Sequence, residues 1–372
     1  FWLKIWLKAE PRGLAADAML LFRSVLRWIG GADLGAGLLC LGVTVAAVVS
    51  AALALQRPPL KRLLAPRKFR VGRLFLHPVK GAAAVEVSEL HLDRLGFQHD
   101  RRWAMLGSKN EVLTMRPCPR LVLVRPEVSG GPSTTLTLSA PGMPPLEVQA
   151  PGSDAETVAY NLWEVPGTAR DCGPEAARWF SEFLGREARL AYVPAEECDV
   201  HLREPCKQAK WNDGDEAKSV YLPGSCIAFA DETQGTLVSR TSLDDLNRRL
   251  PHKVAIERFR MNIILEGSAA YEEESWRSFG IGEKTFVMSR RCERCTVPLV
   301  NPETGERGSS NGEPIRELRK YRLFSMLPNG DPRHAISPIF GMKFGTSCHT
   351  GVIRVGDEVT PLTFWKRGDR KY

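Results

Sequence analysis

The chain has 372 residues and a net charge of +8, with 43% hydrophobic and 25% charged residues. These values are typical of a globular protein, and the length suits two domains and an appendage. Residues 57–70 hold six Lys or Arg residues and no acidic residue, so most of the net positive charge is one local cluster. No stripe of basic and aromatic residues is present elsewhere, which argues against nucleic-acid binding.

An uncharged segment of 23 residues at 34–56 is long enough to cross a membrane. As a helix it would extend about 34 Å, and the hydrocarbon core of a bilayer is about 30 Å thick. The basic linker 57–68 follows directly, and positive charge stays on the cytosolic side. We therefore predict a transmembrane helix at 34–56, a targeting or interfacial segment at 1–33, and a globular part in the cytosol.

A cleaved signal peptide is the alternative for this segment, because Ala52-Leu53-Ala54 has the small residues of a cleavage site. The apolar run is longer than such peptides usually have. The nine cysteines are also odd in number and irregularly spaced, which indicates free thiols in a reducing compartment and argues against export.

The rest of the chain has the alternation of apolar and polar residues that is typical of strands. Period-two patterns predict strands at residues 69–76, 85–93, 101–107, 121–128, 134–140, 145–150, 261–266, 284–289 and on both sides of the turn at 356–357. Helices are predicted at 174–185, at 242–250 with Ser242 and Asp245 as a capping box, and at 314–322. The predicted fold class is α+β and mostly β, with a β-barrel-like domain at 69–195, a second domain at 196–365 and a tail at 366–372.

Two cysteines, Cys292 and Cys295, lie in the segment RCERC together with Arg291 and Arg294. Arginine beside a cysteine favours the thiolate, which is the form that binds metals. Two ligands are too few for a closed zinc site, so a metal held here needs further ligands from a cofactor. We interpret Cys292 as a packing residue; the alternatives are a thiol that supports Cys295 or a redox partner of it.

Three cations lie at the ends of predicted strands: Lys80 in HPVKG, Arg101 in HDRRW and Arg260 in ERFRMN. Such residues are usually solvated, but three of them around a thiolate would suit an anionic cofactor, especially a phosphate. The sequence leaves open whether they converge. No GxGxxG segment follows a strand, and no cysteine run suits a plant-type iron–sulfur cluster, so another protein must supply any electrons.

The motifs HPVKG, HDRRWAML, FRMNIIL, CERCTVPLVNPETG and SPIFG follow one another within residues 70–362. In this order they resemble the MOSC-domain proteins, and among them the mitochondrial amidoxime-reducing component family. The resemblance implies an N-terminal MOSC β-barrel domain followed by a MOSC domain that carries a molybdenum–molybdopterin cofactor. It implies that Cys295 is the catalytic residue and the molybdenum ligand. The cofactor-binding residues that it implies are Lys80, Arg101, Thr233, Arg260, Asn262 and Arg294. The chain departs from the family pattern at Gly81, Pro298 and Lys343.

The resemblance also implies a function, which is reduction of N-hydroxylated compounds such as amidoximes and hydroxylamines. Its implied electron donors are cytochrome b5 and the NADH-dependent reductase of that protein, and its implied location is the outer mitochondrial membrane. A carrier for the molybdenum cofactor without reductase activity is one alternative. Sulfur transfer is another, but it requires a pyridoxal-phosphate domain, for which residues 1–68 are too short.

Overall fold

The computed structural model of the protein describes residues 68–130, 134–163, 165–196, 226–308, 311–327 and 337–365. The strands of the first half are β1 Phe69–Leu76, β2 Val85–Val87, β3 Glu89–Asp93, β4 Gly96–Phe97, β5 Trp103–Leu106, β6 Arg125–Ser129, β7 Thr135–Ser139, β8 Leu146–Gln149, β9 Thr157–Leu162, β10 Val165–Asp171 and β11 Arg189–Tyr192. Those of the second half are β12 Gly235–Ser239, β13 Ile263–Glu266, β14 Trp276–Ile281, β15 Lys284–Glu293, β16 Ile339–Thr346, β17 Val352–Arg354 and β18 Glu358–Phe364. The α-helices are α1 Pro174–Leu184, α2 Arg240–Arg249 and α3 Ile315–Arg319. The predicted predominance of strands is confirmed.

Seven strands form a closed barrel in the order β13-β12-β16-β15-β14-β18-β1, and the pairing of β1 with β13 closes it. All neighbours in the barrel are antiparallel except β12 and β13. Three phenylalanines of its core are in contact: the ring centroids of Phe279 and Phe286 are 5.0 Å apart, and those of Phe286 and Phe344 are 5.4 Å apart. Closure leaves these strands without a free edge along the barrel wall.

Strand β1 belongs to this barrel, although the other six barrel strands lie in the second half of the chain. Its register pairs Leu74 with Ile263 and Phe69 with Val359. The alternating pattern of residues 69–76 correctly predicts a strand. The pattern does not tell which strands pair with β1. Because β1 pairs with β13 and β18 of the second half, the domain boundary predicted at 195 does not separate the strand pairings.

The remaining strands form three smaller sheets, with the orders β5-β11-β10-β9, β6-β7-β8 and β17-β3-β4. Helix α1 contacts β8 and β11 and buries Trp179, Phe180 and Phe183. Pro174 starts the helix and Gly185 ends it in the left-handed conformation, with a φ of 65°. Both positions follow the usual preferences for proline at the first turn and glycine after the last one.

The segment 121–128, predicted as one strand, is divided in the structure. A 3₁₀ helix occupies Pro119–Leu123, and strand β6 begins only at Arg125. Pro119 suits the first turn of a helix because its φ is already restricted, and the successive residues Leu121 and Val122 are both buried. A run of apolar residues without alternation is therefore compatible with either conformation.

Helix α2 begins earlier than its sequence pattern predicts. Ser239 is the N-cap, and its side chain accepts a hydrogen bond from the backbone nitrogen of Ser242 at 3.3 Å. The predicted capping box from Ser242 to Asp245 is thus wrong, because both residues lie inside the helix. The predicted apolar positions Leu246 and Leu250 are buried.

The predicted membrane helix 34–56, the segment 1–33, the tail 366–372 and all of the linker 57–68 except its last residue lie outside the described residues. Within the ranges that the structure describes, no helix combines the length and the hydropathy that a membrane crossing requires.

Candidate active site

All seven residues that the sequence indicates as ligands line one cavity of about 460 Å³: Lys80, Arg101, Thr233, Arg260, Asn262, Arg294 and Cys295. Two of them lie between β1 and β5, and the others lie next to β12, β13 and β15. The structure thus brings together residues that the sequence leaves separate. Eight Lys or Arg side chains line the cavity against three Asp or Glu side chains, and this surplus favours an anionic ligand.

Arg101 is held by three groups of the protein. Its guanidinium pairs with Asp100 and donates to Oδ1 of Asn262 at 3.1 Å and to the backbone oxygen of Arg260 at 3.0 Å. The amide nitrogen of Asn262 donates to Oδ1 of Asp100 at 3.1 Å and to the backbone oxygen of Phe75 at 3.2 Å. Asn262 therefore helps to fix the position of Arg101 at the cavity.

Arg260 has an unused hydrogen-bond donor. Its Nη1 donates to the backbone oxygen of Ala82 at 2.6 Å, while its buried Nη2 has no partner among the described residues. Burial, followed by repulsion from Arg101, lowers the pKa of Arg260 to about 9. A buried donor without a partner is costly, so an anionic group in the cavity would stabilise this side chain.

The backbone at both arginines is in the left-handed region, with a φ of 49° at Arg101 and 54° at Arg260. Residues other than glycine, asparagine and aspartate adopt this conformation rarely, and such strain is concentrated at functional sites. The surrounding hydrogen bonds hold the two guanidinium groups at the cavity despite this local cost.

Lys80 and Trp163 share one carboxylate. The Nζ atom of Lys80 donates to the backbone oxygen of Phe229 at 2.8 Å and to Oδ1 of Asp231 at 2.6 Å. The Nε1 atom of Trp163 donates to the same Asp231 oxygen at 2.7 Å. Surrounding protein atoms oppose ionisation of Asp231, but Lys80 and then the Trp163 hydrogen bond hold its pKa well below the ordinary value. Asp231 is therefore a carboxylate that links the two side chains.

A second acid, Glu232, binds the cations on the barrel wall. It accepts from Nζ of Lys343 at 2.7 Å and pairs with Nε of Arg290 at 3.3 Å. Burial raises the pKa of Glu232, but Lys343 and Arg290 outweigh it and leave the pKa below its usual value. The charge that Lys343 adds relative to the family pattern is thus balanced by Glu232. The sequence reasoning missed this acid pair, although Asp231 and Glu232 directly precede the predicted ligand Thr233.

Cys295 follows the end of β15, and its sulfur accepts a hydrogen bond from the backbone nitrogen of Val297 at 3.5 Å. The preceding residue, Arg294, donates to the backbone oxygens of Phe259 at 2.8 Å and Phe340 at 2.7 Å. These bonds tie the turn that carries Cys295 to neighbouring loops. Thr233 also has an internal partner, because its Oγ1 donates to the backbone oxygen of Gly235 at 3.2 Å.

Cys292 and Arg291 have surroundings different from those of Cys295. Cys292 is only 5% exposed, as expected for a packing residue, although it also lines the cavity. Arg291 is not among the lining residues; it pairs with Glu274 at 3.3 Å, and its guanidinium lies over the ring of Phe324. Its charge is therefore balanced by Glu274, and Arg294 is the arginine of this segment that borders the cavity.

Comparison with known families places these residues in context. The family model described as the MOSC N-terminal beta barrel domain matches residues 68–187, and the model of the MOSC domain matches residues 225–360. The chain is 32% identical over 339 residues to mitochondrial amidoxime reducing component 2 of Rattus norvegicus, which covers 89% of this chain and 92% of the relative. It is 32% identical over 354 residues to mitochondrial amidoxime-reducing component 1 of Homo sapiens, covering 92% and 96% respectively.

The chain belongs to the mitochondrial amidoxime-reducing component family. Component 1 of Mus musculus is similar to it at 31% identity over 341 residues, or 89% of this chain and 91% of the relative. The cavity lies between residues of both family domains, because Lys80, Arg101 and Trp163 fall in the first matched region and Cys295 in the second. The family names describe an oxidoreductase, and MOSC domains are associated with the molybdenum cofactor.

The donor set of the cavity fits that cofactor. A phosphate requires several cationic donors, and the cavity provides the unpartnered Nη2 of Arg260 beside Arg101 and Lys80. A molybdenum atom that receives its other sulfurs from a pterin requires one thiolate, and Cys295 borders the same cavity. In the part of the chain that the structure describes, no three His, Cys, Asp or Glu side chains are grouped so that they could hold a metal ion themselves.

Proposed function

We propose that this protein is a molybdenum-cofactor-dependent reductase of N-hydroxylated compounds such as amidoximes and hydroxylamines. The observation that carries the proposal is the convergence of the Cys295 thiol with Lys80, Arg101 and Arg260 in one cavity. This arrangement suits a ligand that combines a phosphate with a metal lacking one sulfur ligand. Family membership, with relatives named as amidoxime-reducing components, supports the reaction type.

Each residue has a distinct role in this proposal. Arg260 and Arg101 hold the phosphate, because Nη2 of Arg260 has no partner within the described part of the chain and Arg101 is fixed by Asp100. Lys80 contributes a third positive charge, and Thr233, Asn262 and Arg294 keep the surrounding loops in place. Cys295 provides the thiolate ligand; a cysteine bound to a metal loses its proton outright. The bound cofactor supplies the two-electron chemistry, and the protein orients it and tunes its charge.

The overall reaction consumes two electrons and two protons for each N–O bond that is cleaved, and it yields the amidine or amine and water. We propose cytochrome b5 and its NADH-dependent reductase as the source of the electrons. A shared membrane surface would raise the effective concentration of these partners. The mitochondrial names of the relatives and the predicted helix at 34–56 support attachment to the outer mitochondrial membrane, with the cavity in the cytosol.

Replacement of the thiol tests the proposal directly. The variant Cys295→Ala should retain the fold but lose its molybdenum and all NADH-dependent reduction of benzamidoxime in the presence of cytochrome b5 and its reductase. Cys348→Ala is the matched control, because Cys348 is also a free, partly buried cysteine and does not line the cavity. An active Cys295→Ala variant with a full complement of molybdenum would refute the ligand assignment.

The same experiment separates the reductase from a cofactor carrier. A carrier would contain molybdenum and molybdopterin in the wild-type protein but would not turn over benzamidoxime with the complete electron-transfer system. Metal analysis and product formation must therefore be measured on the same preparation.

A further inference from the structure

Neither the local backbone conformation nor burial in the core explains why residue 163 is a tryptophan. Strand β9 ends at Leu162, which pairs with Val165 of β10, so Trp163 is the first residue of a two-residue hairpin connection. Its φ is 54°, and such positions favour Asn, Asp or Gly, whereas a bulky side chain with positive φ is uncommon. The side chain is also 42% exposed, so burial does not compensate for this conformation.

The indole is nevertheless fixed in place at the cavity. Its Nε1 donates to Oδ1 of Asp231 at 2.7 Å, and the guanidinium of Arg116 lies over its ring at 4.4 Å from the centroid. Trp163, Arg116 and Asp231 all line the cavity that Cys295 borders. Arg116 covers one face of the indole, so a flat ligand would stack on the opposite face of this partly exposed ring.

We infer that Trp163 is a specificity-determining residue that stacks against the aromatic ring of an aryl N-hydroxylated substrate, an inference that rests on the proposed function. Asp231 and Arg116 are the positioning residues for the indole. The ligand class is a neutral, planar aryl amidoxime whose N-hydroxyl end extends into the cavity. Aliphatic amidoximes would use the same cavity without this contact.

The substrate and its product differ in charge, and this difference affects their binding at the site. Reduction converts a weakly basic amidoxime into a strongly basic amidine, which takes up a proton and becomes a cation. The guanidinium of Arg116 lies next to the stacking surface, so it repels a cationic product there. The site should therefore bind benzamidoxime more tightly than benzamidine, which favours release of the product.

The test compares the holoenzyme with its Trp163→Leu and Trp163→Phe variants, using benzamidoxime and acetamidoxime as the aryl and alkyl probes. Aromatic stacking contributes about 1–3 kcal/mol, so Trp163→Leu should raise the KM for benzamidoxime roughly fivefold or more. The kcat for benzamidoxime and the KM for acetamidoxime should change less than about twofold, and Trp163→Phe should restore part of the loss because it keeps a ring. Phe364→Leu is the control, because Phe364 is exposed and does not line the cavity.

Calorimetric binding of benzamidoxime, measured without turnover, keeps this inference separate from the proposed function. If the wild type binds benzamidoxime and the affinity of Trp163→Leu is lower by roughly fivefold or more, the stacking site stands even where no reduction is seen. Equal affinity of the two proteins overturns it, as does failure of the wild type to bind. Loss of molybdopterin from Trp163→Leu also overturns it, because the indole would then contact the cofactor.

Discussion

The buried carboxyl of Glu273 should make the stability of this protein depend on pH. Its side chain is 0% exposed; Oε1 accepts from the backbone nitrogen of Ser239 at 3.1 Å, while the buried Oε2 has no partner among the described residues. Burial, and then repulsion from the neighbouring Glu274, raise the pKa of Glu273 from 4.5 to about 7. The folded protein therefore binds one more proton than the unfolded chain between these two pH values.

The sign and the size of the effect follow from this proton. Because the folded state is the better proton acceptor, the free energy of unfolding falls as pH rises from about 4.5 to about 7 and the contribution is constant outside this window. A pKa difference of this size changes the free energy of unfolding by at most about 3 kcal/mol. The variant Glu273→Gln resembles the protonated carboxyl at every pH, so it should lack this part of the pH dependence.

Urea denaturation at pH 5, 6, 7 and 8 measures the effect. Glu273→Gln should gain stability relative to the wild type as pH rises, by up to about 3 kcal/mol, with an unchanged slope in urea. Glu272→Gln is the matched control, because it removes a carboxylate from the partly exposed side of the same turn. A constant difference between Glu273→Gln and the wild type over this pH range would refute the reasoning.

Two further substitutions test the site and the fold. Arg260→Met removes the Nη2 donor. Because a charge-assisted hydrogen bond contributes about 1.5–3 kcal/mol, molybdopterin should dissociate from this variant roughly tenfold or more faster, as measured by the fluorescence of the released pterin. Unchanged retention of molybdopterin contradicts a phosphate role for Arg260. Ser239→Ala removes the buried N-cap of α2 and should lower the free energy of unfolding by about 1–2 kcal/mol in urea titrations; a loss below about 0.3 kcal/mol means that Ser242 or water replaces the cap.

Local sequence patterns predicted much of the secondary structure. The alternation in residues 69–76 corresponds to strand β1 residue for residue, and α1 was predicted within one residue of its observed end at Leu184. The sequence patterns missed seven strands, namely β4, β9, β10, β11, β12, β14 and β16. Strands β12, β14 and β16 lie in the barrel and are buried on successive positions, as in Ile339–Phe344. Such runs lack the period of two that identifies a half-exposed strand.

The residues of the candidate site were identified through the resemblance to a family, and the structure shows which groups each of them contacts. Asn262, which the resemblance implies as a cofactor-binding residue, contacts Arg101, Asp100 and Phe75 through its amide. The carboxylate of Asp231, which connects Lys80 to Trp163, had no motif of its own. Hydrogen-bond partners depend on distances across the fold, and a linear pattern contains no such distances.

The sequence by itself determined which reactive groups are present: a thiol next to an arginine, cations at strand ends, and strands numerous enough for a mostly β fold. These properties depend on neighbouring residues and can be recognised locally. Only the tertiary structure decided that β1 closes a barrel with β13 and β18, that the cations and Cys295 face one cavity, and that Trp163 stands exposed beside them. These relationships join residues far apart in the chain, and they arise from packing and strand pairing during folding.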